Sequence, residues 1–238
     1  MSHSLKLILY LIKINVYTLY MLDPKLQKYK RKEYVKPKII GFADFNFFAQ
    51  SLTNVEFNAS LDCYDKIFCD GFWIYLLLRV KSYDVVYKPG PTFFNDKVLG
   101  LKKMVILSKY EKDDIDDIGL SASFSNVEFI KLPYKNNVLE FDYFNIAKLV
   151  KDKRHIFISL GCPKQEIFTS QLSRHLKNNP YIYTVGAAID FFTGNEKRAP
   201  QLIRFIRMEY LWRLSANFKK QIVKWKKIPI VLVWFIKK

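Results

Sequence analysis

The chain has 238 residues, half of them hydrophobic and 16% aromatic, so it is long enough to bury a full core and too apolar for a disordered protein. Its three cysteines and three histidines follow no metal-ligand or disulfide-framework spacing. This excludes a zinc module and a disulfide scaffold, and it suits a reducing cytoplasm.

The net charge of +17 is concentrated at the two ends of the chain. Residues 1–38 hold nine lysines and arginines against two acids, and residues 197–238 hold twelve against Glu209 alone, whereas residues 39–196 are close to neutral. Basic, apolar-rich ends favour an anionic membrane surface over a nucleic-acid groove, although phosphate-binding proteins and ordinary solvated lysines share this signature. We therefore divide the chain into an N-terminal segment (1–38), a near-neutral central domain (39–196) and a basic C-terminal appendage (197–238).

Residues 5–22 form an apolar run that Lys6, Lys13 and Asn15 interrupt. A spanning helix needs about 20 mostly apolar residues, and lysines inside the run make that costly. A buried strand or helix of the core and an interfacial amphipathic segment are the other two interpretations. A secretory signal is not expected, because no small-residue cleavage site follows the run.

From residue 39 onward, short apolar runs alternate with stretches of helical periodicity. Strands are predicted at 39–45, 66–71, 103–108, 127–132, 155–161 and 181–188, and helices at about 47–62, 142–151, 164–177 and 199–214. Strands separated by helices predict a Rossmann-like α/β fold, with a mainly parallel sheet, helices on both faces and ligands at the carboxyl ends of the strands. The acidic stretch Glu111–Asp117 is predicted to be an exposed helix start or loop.

The segment 156–168, IFISLGCPKQEIF, is typical of a buried strand followed by the start of a helix. The strand ends at Gly161, Pro163 takes a first helical position, and Lys164, Gln165 and Glu166 fall in the first turn. Free backbone N–H groups and the positive end of the helix dipole would favour a diphosphate or sugar hydroxyls there. An ordinary capped helix start has the same spacing.

The segment 66–72, KIFCDGF, places Asp70 directly after a strand, and Gly71 permits a tight turn behind it. A carboxylate at the carboxyl end of a strand can serve as a general base. Asp-Gly is also one of the commonest turn dipeptides, so the pattern fits a plain turn as well.

The segment 183–214 runs from a strand into Gly186 and two alanines, then through Asp190 into a cationic helix. Small residues let a ligand or a neighbouring backbone approach closely, and arginine forks suit diphosphate oxygens. A surface helix with solvated arginines is the alternative. The arginines in question are Arg198, Arg204, Arg207 and Arg213.

The order and the residues of these segments resemble those of the WecG/TagA/CpsF glycosyltransferase family (glycosyltransferase family 26) over about residues 39–214. That family shows an Asp-Gly turn after an early strand, then G-x-P-K-Q-E, then G-x-F-D-F-x-x-G-x-x-x-R-A-P leading into L-E-W-L-x-R-L. The matching residues here are Asp70-Gly71, Gly161–Glu166, Gly186–Phe191, Gly194, Arg198–Pro200 and Met208–Leu214, with Asn46 at a strand end and Gly90-Pro-Thr92 similar to a short glycine-containing segment.

The chain also departs from the family pattern at single positions. A threonine of the family is Asp44 here, its Gly-Gly is Gly186-Ala187, its phenylalanine is Ile189, the glycine before L-E-W is Arg207 and its tryptophan is Tyr210. These positions fall in the implied donor pocket, so they affect the identity of the sugar more than the reaction.

The resemblance implies an inverting glycosyltransferase that moves an N-acetylmannosamine-type sugar, or its uronic acid, from a UDP-sugar to a polyprenyl-diphosphate-linked sugar in cell-surface polysaccharide synthesis. Asp70 is the expected base. The expected donor-binding residues are Asn46, Gly71, Gly161, Lys164, Gln165, Gly186, Asp190, Arg198, Arg207 and Arg213.

We expect no cofactor and no metal ion at this site. The one Asp-x-Asp triplet, Asp114–Asp116, belongs to the acidic stretch and does not follow a predicted strand directly. The arginines and the helix start at 163–166 are therefore expected to stabilise the departing UDP.

The last segment, 215–238, holds seven lysines and no acid, and it ends in a short apolar run after Pro229. This run is too short to span a bilayer but can lie at its interface, which predicts a peripheral protein on the cytoplasmic face of the bacterial inner membrane. Homo-oligomerisation is left open. Two other classes also stay open: an inactive or regulatory nucleotide-sugar-binding α/β protein, and a nucleic-acid-binding protein, for which no recognised module is present.

Overall fold

The computed structural model describes residues 36–98, 100–111, 127–205, 208, 209, 212, 215, 226 and 228–237. The apolar run 5–22 lies outside these residues, and so does the acidic stretch beyond Glu111. Their interpretations therefore stay predictions.

Six strands form a single sheet in which every neighbouring pair is parallel. Their order across the sheet is β2-β1-β6-β5-β3-β4. The α/β fold class and all six predicted strands are thereby confirmed. The strands are β1 (Lys38–Ala43), β2 (Lys66–Cys69), β3 (Met104–Ser108), β4 (Val127–Lys131), β5 (His155–Ser159) and β6 (Tyr181–Thr184).

The central strands are apolar along their whole length because both faces of the sheet are covered. All five residues of β3 are buried. Alternate side chains of this strand point to opposite faces, so Val105 and Leu107 join one core cluster while Met104 and Ile106 join another.

Helices cover both faces, as predicted. Helices α4 and α7 cover one face through Phe93, Phe94 and Ile189, and the remaining helices of the core cover the other. The helices are α1 (Phe45–Thr53), α2 (Val55–Ser60), α3 (Phe72–Val80), α4 (Gly90–Val98), α5 (Tyr143–Leu149), α6 (Lys164–Ser173), α7 (Ala188–Phe192), α8 (Gln201–Phe205) and α9 (Ile228–Lys237), with 3₁₀ turns at Leu61–Cys63 and Val138–Glu140.

The predicted helices at 142–151 and 164–177 are confirmed as α5 and α6, and α8 lies at the start of the one predicted at 199–214. The helix predicted at 47–62 is wrong as a single element, because the chain leaves helical geometry at Asn54, where ψ is 110°. The side chain of Asn54 then accepts a hydrogen bond from the backbone N–H of Phe57 at 3.0 Å and begins α2 as its N-cap.

The C-terminal helix α9 packs against α1 and contributes two side chains to the core. Val231 and Phe235 are buried, whereas Ile230, Leu232, Val233 and Ile236 are exposed. The helix is therefore apolar on its inner and its outer side. Within the described ranges, none of the helices combines the length and the apolar character needed to cross a membrane.

Candidate functional site

The segments singled out in the sequence follow neighbouring strands. The residue that directly follows each strand is Asp70 for β2, Asp44 for β1, Val185 for β6 and Leu160 for β5, and these four strands are neighbours in the sheet in that order. Because all the strands are parallel, these carboxyl ends share one edge of the sheet, which is where open α/β sheets bind ligands.

Asp70 is fixed at this edge by both its backbone and its side chain. Its backbone N–H donates to the carbonyl of Ala43 at 2.9 Å, which ties the end of β2 to the end of β1. Its Oδ1 accepts a hydrogen bond from the N–H of Gly90 at 3.0 Å, at the start of α4. The next residue, Gly71, is the N-cap of α3. The carboxylate is thus half-buried and held in place, and its expected role as a base stays a prediction.

The first turn of α4 also meets Arg198. One guanidinium nitrogen, Nη2, donates to the hydroxyl of Thr92 at 2.8 Å. The segment Gly90-Pro-Thr92 therefore lies between Asp70 and Arg198, and it joins the Asp-Gly and Arg-Ala-Pro segments in space. At Gly90 an added Cβ would lie 3.4 Å from both the ring of Phe42 and the carbonyl oxygen of Val185, so α4 begins in close contact with β1 and the end of β6.

Asn46 lies in the first turn of α1 and is buried. Its Nδ2 donates to the carbonyl of Cys162 at 3.2 Å, just before the cis bond to Pro163. Gly161 has a φ of +78°, in the left-handed region that favours glycine, and open space surrounds the place where a Cβ would be. The sequence-predicted residues Asn46 and Gly161 thus belong to one contiguous part of the edge.

Lys164 is turned toward the loop that follows β4. Its Nζ donates to the carbonyl of Lys135 at 2.9 Å and lies 4.9 Å from the ring centroid of Tyr134. The predicted contact of Lys164 with a donor stays a prediction.

Gln165 is buried, and its amide bonds to the protein itself. Its Oε1 accepts a hydrogen bond from the N–H of Gly186 at 3.0 Å, and its Nε2 donates to the carboxyl of Glu166 at 2.7 Å. Gly186 has a φ of +59°, which is not an extended conformation. Strand β6 therefore ends at Thr184, earlier than the predicted strand end at residue 188. The carbonyl of Gly186 accepts a hydrogen bond from Ser159 Oγ at 2.5 Å. Gln165 therefore shapes the loop after β6.

Asp190, in α7, forms a cluster with two residues that follow β3. Its Oδ1 accepts a hydrogen bond from the hydroxyl of Tyr110 at 2.6 Å and lies 2.8 Å from Nζ of Lys109. Burial and the hydrogen bond to Asp190 raise the pKa of Tyr110. Burial alone would lower the pKa of Lys109, but its bonds to Asp190 and Tyr110 raise it, so the lysine stays charged.

The remaining two predicted donor-binding residues, Arg207 and Arg213, lie outside the described residues. Among the residues that the structure describes, no group of three or more histidine, cysteine, aspartate or glutamate side chains could hold a metal ion.

Sequence reasoning missed three residues of this edge, Lys109, Tyr110 and Ser159, and it named Glu166 without giving it a role. Ser159 lies inside the predicted strand 155–161 and is the last residue of β5, and Glu166 stands inside the PKQE motif, so both had a positional signal. Lys109 and Tyr110 had none, because their partner Asp190 is 80 residues away from Tyr110 in the sequence.

Comparison with known proteins gives a family match. The profile described as "Glycosyl transferase WecG/TagA/CpsF family" matches residues 145–238, which contain the PKQE and Arg-Ala-Pro segments and the basic tail. A Bacillus spizizenii protein named N-acetylglucosaminyldiphosphoundecaprenol N-acetyl-beta-D-mannosaminyltransferase is 37% identical over 185 residues, which cover 71% of this chain and 67% of that protein.

Two other similar proteins carry the same name. The one from Bacillus subtilis is 29% identical over 143 residues, and the one from Staphylococcus aureus is 25% identical over 115 residues. The chain spans about half the length of these two, 52% and 43%. The extent of the Bacillus spizizenii match, together with the family profile, identifies this chain as a member of the WecG/TagA/CpsF family of glycosyltransferases.

Proposed function

We propose that this chain transfers an N-acetylmannosamine-type sugar, with inversion, from a UDP-sugar to a polyprenyl-diphosphate-linked sugar. The observation that carries the proposal is the position of Asp70, whose carboxylate is anchored by Gly90 at the edge where the Asn46, Gly161, Gly186 and Arg198 segments converge. The names of the relatives supply the transferred sugar and the lipid-linked N-acetylglucosamine acceptor.

The proposed reaction is a single displacement. Asp70 takes the proton from the acceptor hydroxyl as the hydroxyl oxygen forms its bond to the anomeric carbon. The bond from that carbon to the UDP oxygen breaks on the opposite face, and UDP leaves with the electron pair. Inversion follows because attack and departure occur on opposite faces of the sugar.

The departing UDP develops negative charge, which cations at this edge of the sheet can stabilise. Arg198 contacts the first turn of α4 beside Asp70, and Lys109 contributes a second positive charge near the end of β3. Arg207 and Arg213 follow Arg198 in the same segment of sequence. The helix start at Pro163 adds the positive end of the helix dipole, which favours an anion.

Transfer is expected to survive treatment with EDTA, because these cationic groups can supply the charge stabilisation themselves. The measurement is the initial rate of transfer after dialysis against EDTA, with and without added magnesium or manganese. Full loss of activity with EDTA, restored by either metal, would contradict this expectation. The double variant Asp114→Asn, Asp116→Asn would then test the Asp-x-Asp triplet of the acidic stretch as the metal-binding site.

The acceptor is lipid-linked, so we further propose that the protein works as a peripheral protein on the cytoplasmic face of the bacterial inner membrane, in cell-surface polysaccharide synthesis. The basic charge of residues 197–238 and the exposed apolar side of α9 support this placement. Lysines would attract an anionic leaflet, and Val233 and Ile236 would enter its interface.

The test is a transfer assay with the purified full chain, a panel of UDP-sugars and undecaprenyl-diphosphate N-acetylglucosamine. Product formation from UDP-N-acetylmannosamine, with the opposite anomeric configuration, is the expected result. Transfer of a different sugar would revise the donor. Tight binding of UDP without turnover of any donor would instead identify an inactive or regulatory nucleotide-sugar-binding protein.

A further inference from the structure

A fully buried carboxyl group, that of Glu166, lies beneath the candidate site and has no role in the reaction proposed above. Its side chain is 0% exposed. Of the residues that the structure describes, Gln165 donates a hydrogen bond to Oε1, and the Cys162 thiol and the backbone N–H of Glu166 itself also face the carboxyl group. Among those same residues, no lysine or arginine pairs with it. A charge in these surroundings would be costly, so the neutral acid suits the fold.

The carboxyl group is linked to the catalytic edge through one peptide bond, that between Val185 and Gly186. The N–H of this peptide donates to Gln165 Oε1 at 3.0 Å, and Gln165 Nε2 donates in turn to Glu166. The carbonyl oxygen of the same peptide faces Gly90 closely, and the N–H of Gly90 donates to Asp70.

We propose that Glu166 is a positioning residue that holds the Gln165 amide and thereby fixes the 185–186 peptide beside the partner of Asp70. The link from Glu166 to this peptide is a property of the fold. Its effect on turnover rests on the proposed function. The side chain does not touch the reacting groups, and it acts only through Gln165.

Burial and the charge of Asp44 favour the neutral form of Glu166, whereas its hydrogen bonds favour the ionised form. The pKa of Glu166 is raised to about 7, chiefly by burial and to a smaller extent by the charge of Asp44, at the junction of β1 and α1; the hydrogen bonds from Gln165, from its own backbone N–H and from the Cys162 thiol act in the opposite direction. Burial, and then the charge of Glu166, raise the pKa of Tyr64, which follows the 3₁₀ turn after α2. Ionisation thus puts a charge in an apolar interior near a second carboxylate.

The folded protein therefore holds this proton more tightly than the unfolded chain does. The contribution of Glu166 to stability is fully present below about pH 4.5, its ordinary pKa, and is lost as the pH rises through about 7. The hydrogen bond from Gln165 becomes stronger as the carboxyl ionises, while the new charge disturbs the interior around it, so the position of the 185–186 peptide is expected to follow the titration.

The sequence allows this peptide to be observed alone, because Val185-Gly186 is the only Val-Gly pair in the chain. Labelling valine with carbonyl ¹³C and glycine with ¹⁵N leaves one amide signal in a carbonyl-filtered NMR spectrum. In the wild-type chain we expect this signal to shift with a midpoint near pH 7. The step should vanish in Glu166→Gln, which keeps the acceptor oxygen for Gln165 but cannot ionise, and persist in the exposed control Glu140→Gln. A flat wild-type signal, or the same step in Glu166→Gln, would overturn the link.

Kinetics then test the consequence for transfer. Glu166→Gln is expected to keep kcat within about threefold of wild type at pH 6 and to lack the step in kcat that the titration of Glu166 gives the wild type near pH 7, whereas Glu166→Ala should lose about tenfold, the loss of one buried hydrogen bond. Parallel pH profiles for the wild type and Glu166→Gln would overturn the effect on turnover. If no variant, wild type included, transfers sugar, the proposed function fails, and the NMR titration still decides whether Glu166 positions the peptide.

Discussion

Asp70→Asn is expected to lower kcat by on the order of a hundredfold or more, because a positioned general base typically contributes at least that much. Affinity for UDP is expected to change little, since the base acts on the acceptor hydroxyl. Asparagine keeps the Oδ1 that accepts the hydrogen bond from Gly90, so the variant removes basicity while α4 keeps its anchor. The measurements are single-turnover rates and UDP titration.

The exposed aspartate Asp62, in the 3₁₀ turn after α2, provides a matched control. Asp62→Asn makes the same chemical change away from the edge, and it is expected to leave both rate and affinity unchanged. Near-normal turnover in Asp70→Asn would remove Asp70 from the mechanism, and a large loss of UDP affinity would assign it to donor binding instead.

The strands could be predicted from sequence because burial on both faces leaves a clear local signal. Residues 104–108 and 155–159 are short apolar runs between polar or glycine-containing stretches, and each proved to be a strand of the sheet centre. The helices were harder to predict. The segment 72–80 is apolar nearly all round and has no polar stripe of helical period, so the periodicity that predicts a surface helix is absent from α3.

The start of α4 shows why part of the site could not be predicted. Gly90-Pro91 is a typical turn dipeptide, but Pro91 fits a first helical turn, and the N–H of Gly90 is satisfied by a carboxylate 20 residues earlier in the chain. The same holds for Lys109 and Asp190, which meet only through the order of the strands. Local patterns identify residues that can do chemistry, whereas long-range contacts decide which of them work together.

The C-terminal helix shows a related limit of the sequence pattern. The apolar run after Pro229 predicted an interfacial segment, and the described helix α9 also inserts Val231 and Phe235 into the core. A truncation after Leu214 would remove both of these side chains. Loss of membrane binding in such a truncation could therefore follow from unfolding, so membrane contact must be tested with substitutions on the outer side of α9.

The double variant Val233→Glu, Ile236→Glu is expected to weaken binding to anionic vesicles by tenfold or more and to slow transfer to a long-chain lipid acceptor. Val233 and Ile236 are 48% and 82% exposed, so glutamates there leave the core intact. They replace apolar groups that would enter the interface, and they repel a leaflet that the seven lysines of 215–238 attract at about 1 kcal/mol each. Vesicle flotation measures the binding, and thermal melting checks the fold.

The inner side of the same helix supplies the control. Phe235→Ala should lower the free energy of unfolding by about 3–5 kcal/mol, because it leaves a cavity in the core, yet the molecules that remain folded should bind vesicles as the wild type does. The outer-side variant should show the opposite pattern, with an unchanged melting temperature and weak binding. If the outer-side variant melts normally and still binds as tightly as the wild type, the membrane contact lies elsewhere. Residues 1–38, with nine lysines and arginines and the apolar run 5–22, would then be the segment to test next.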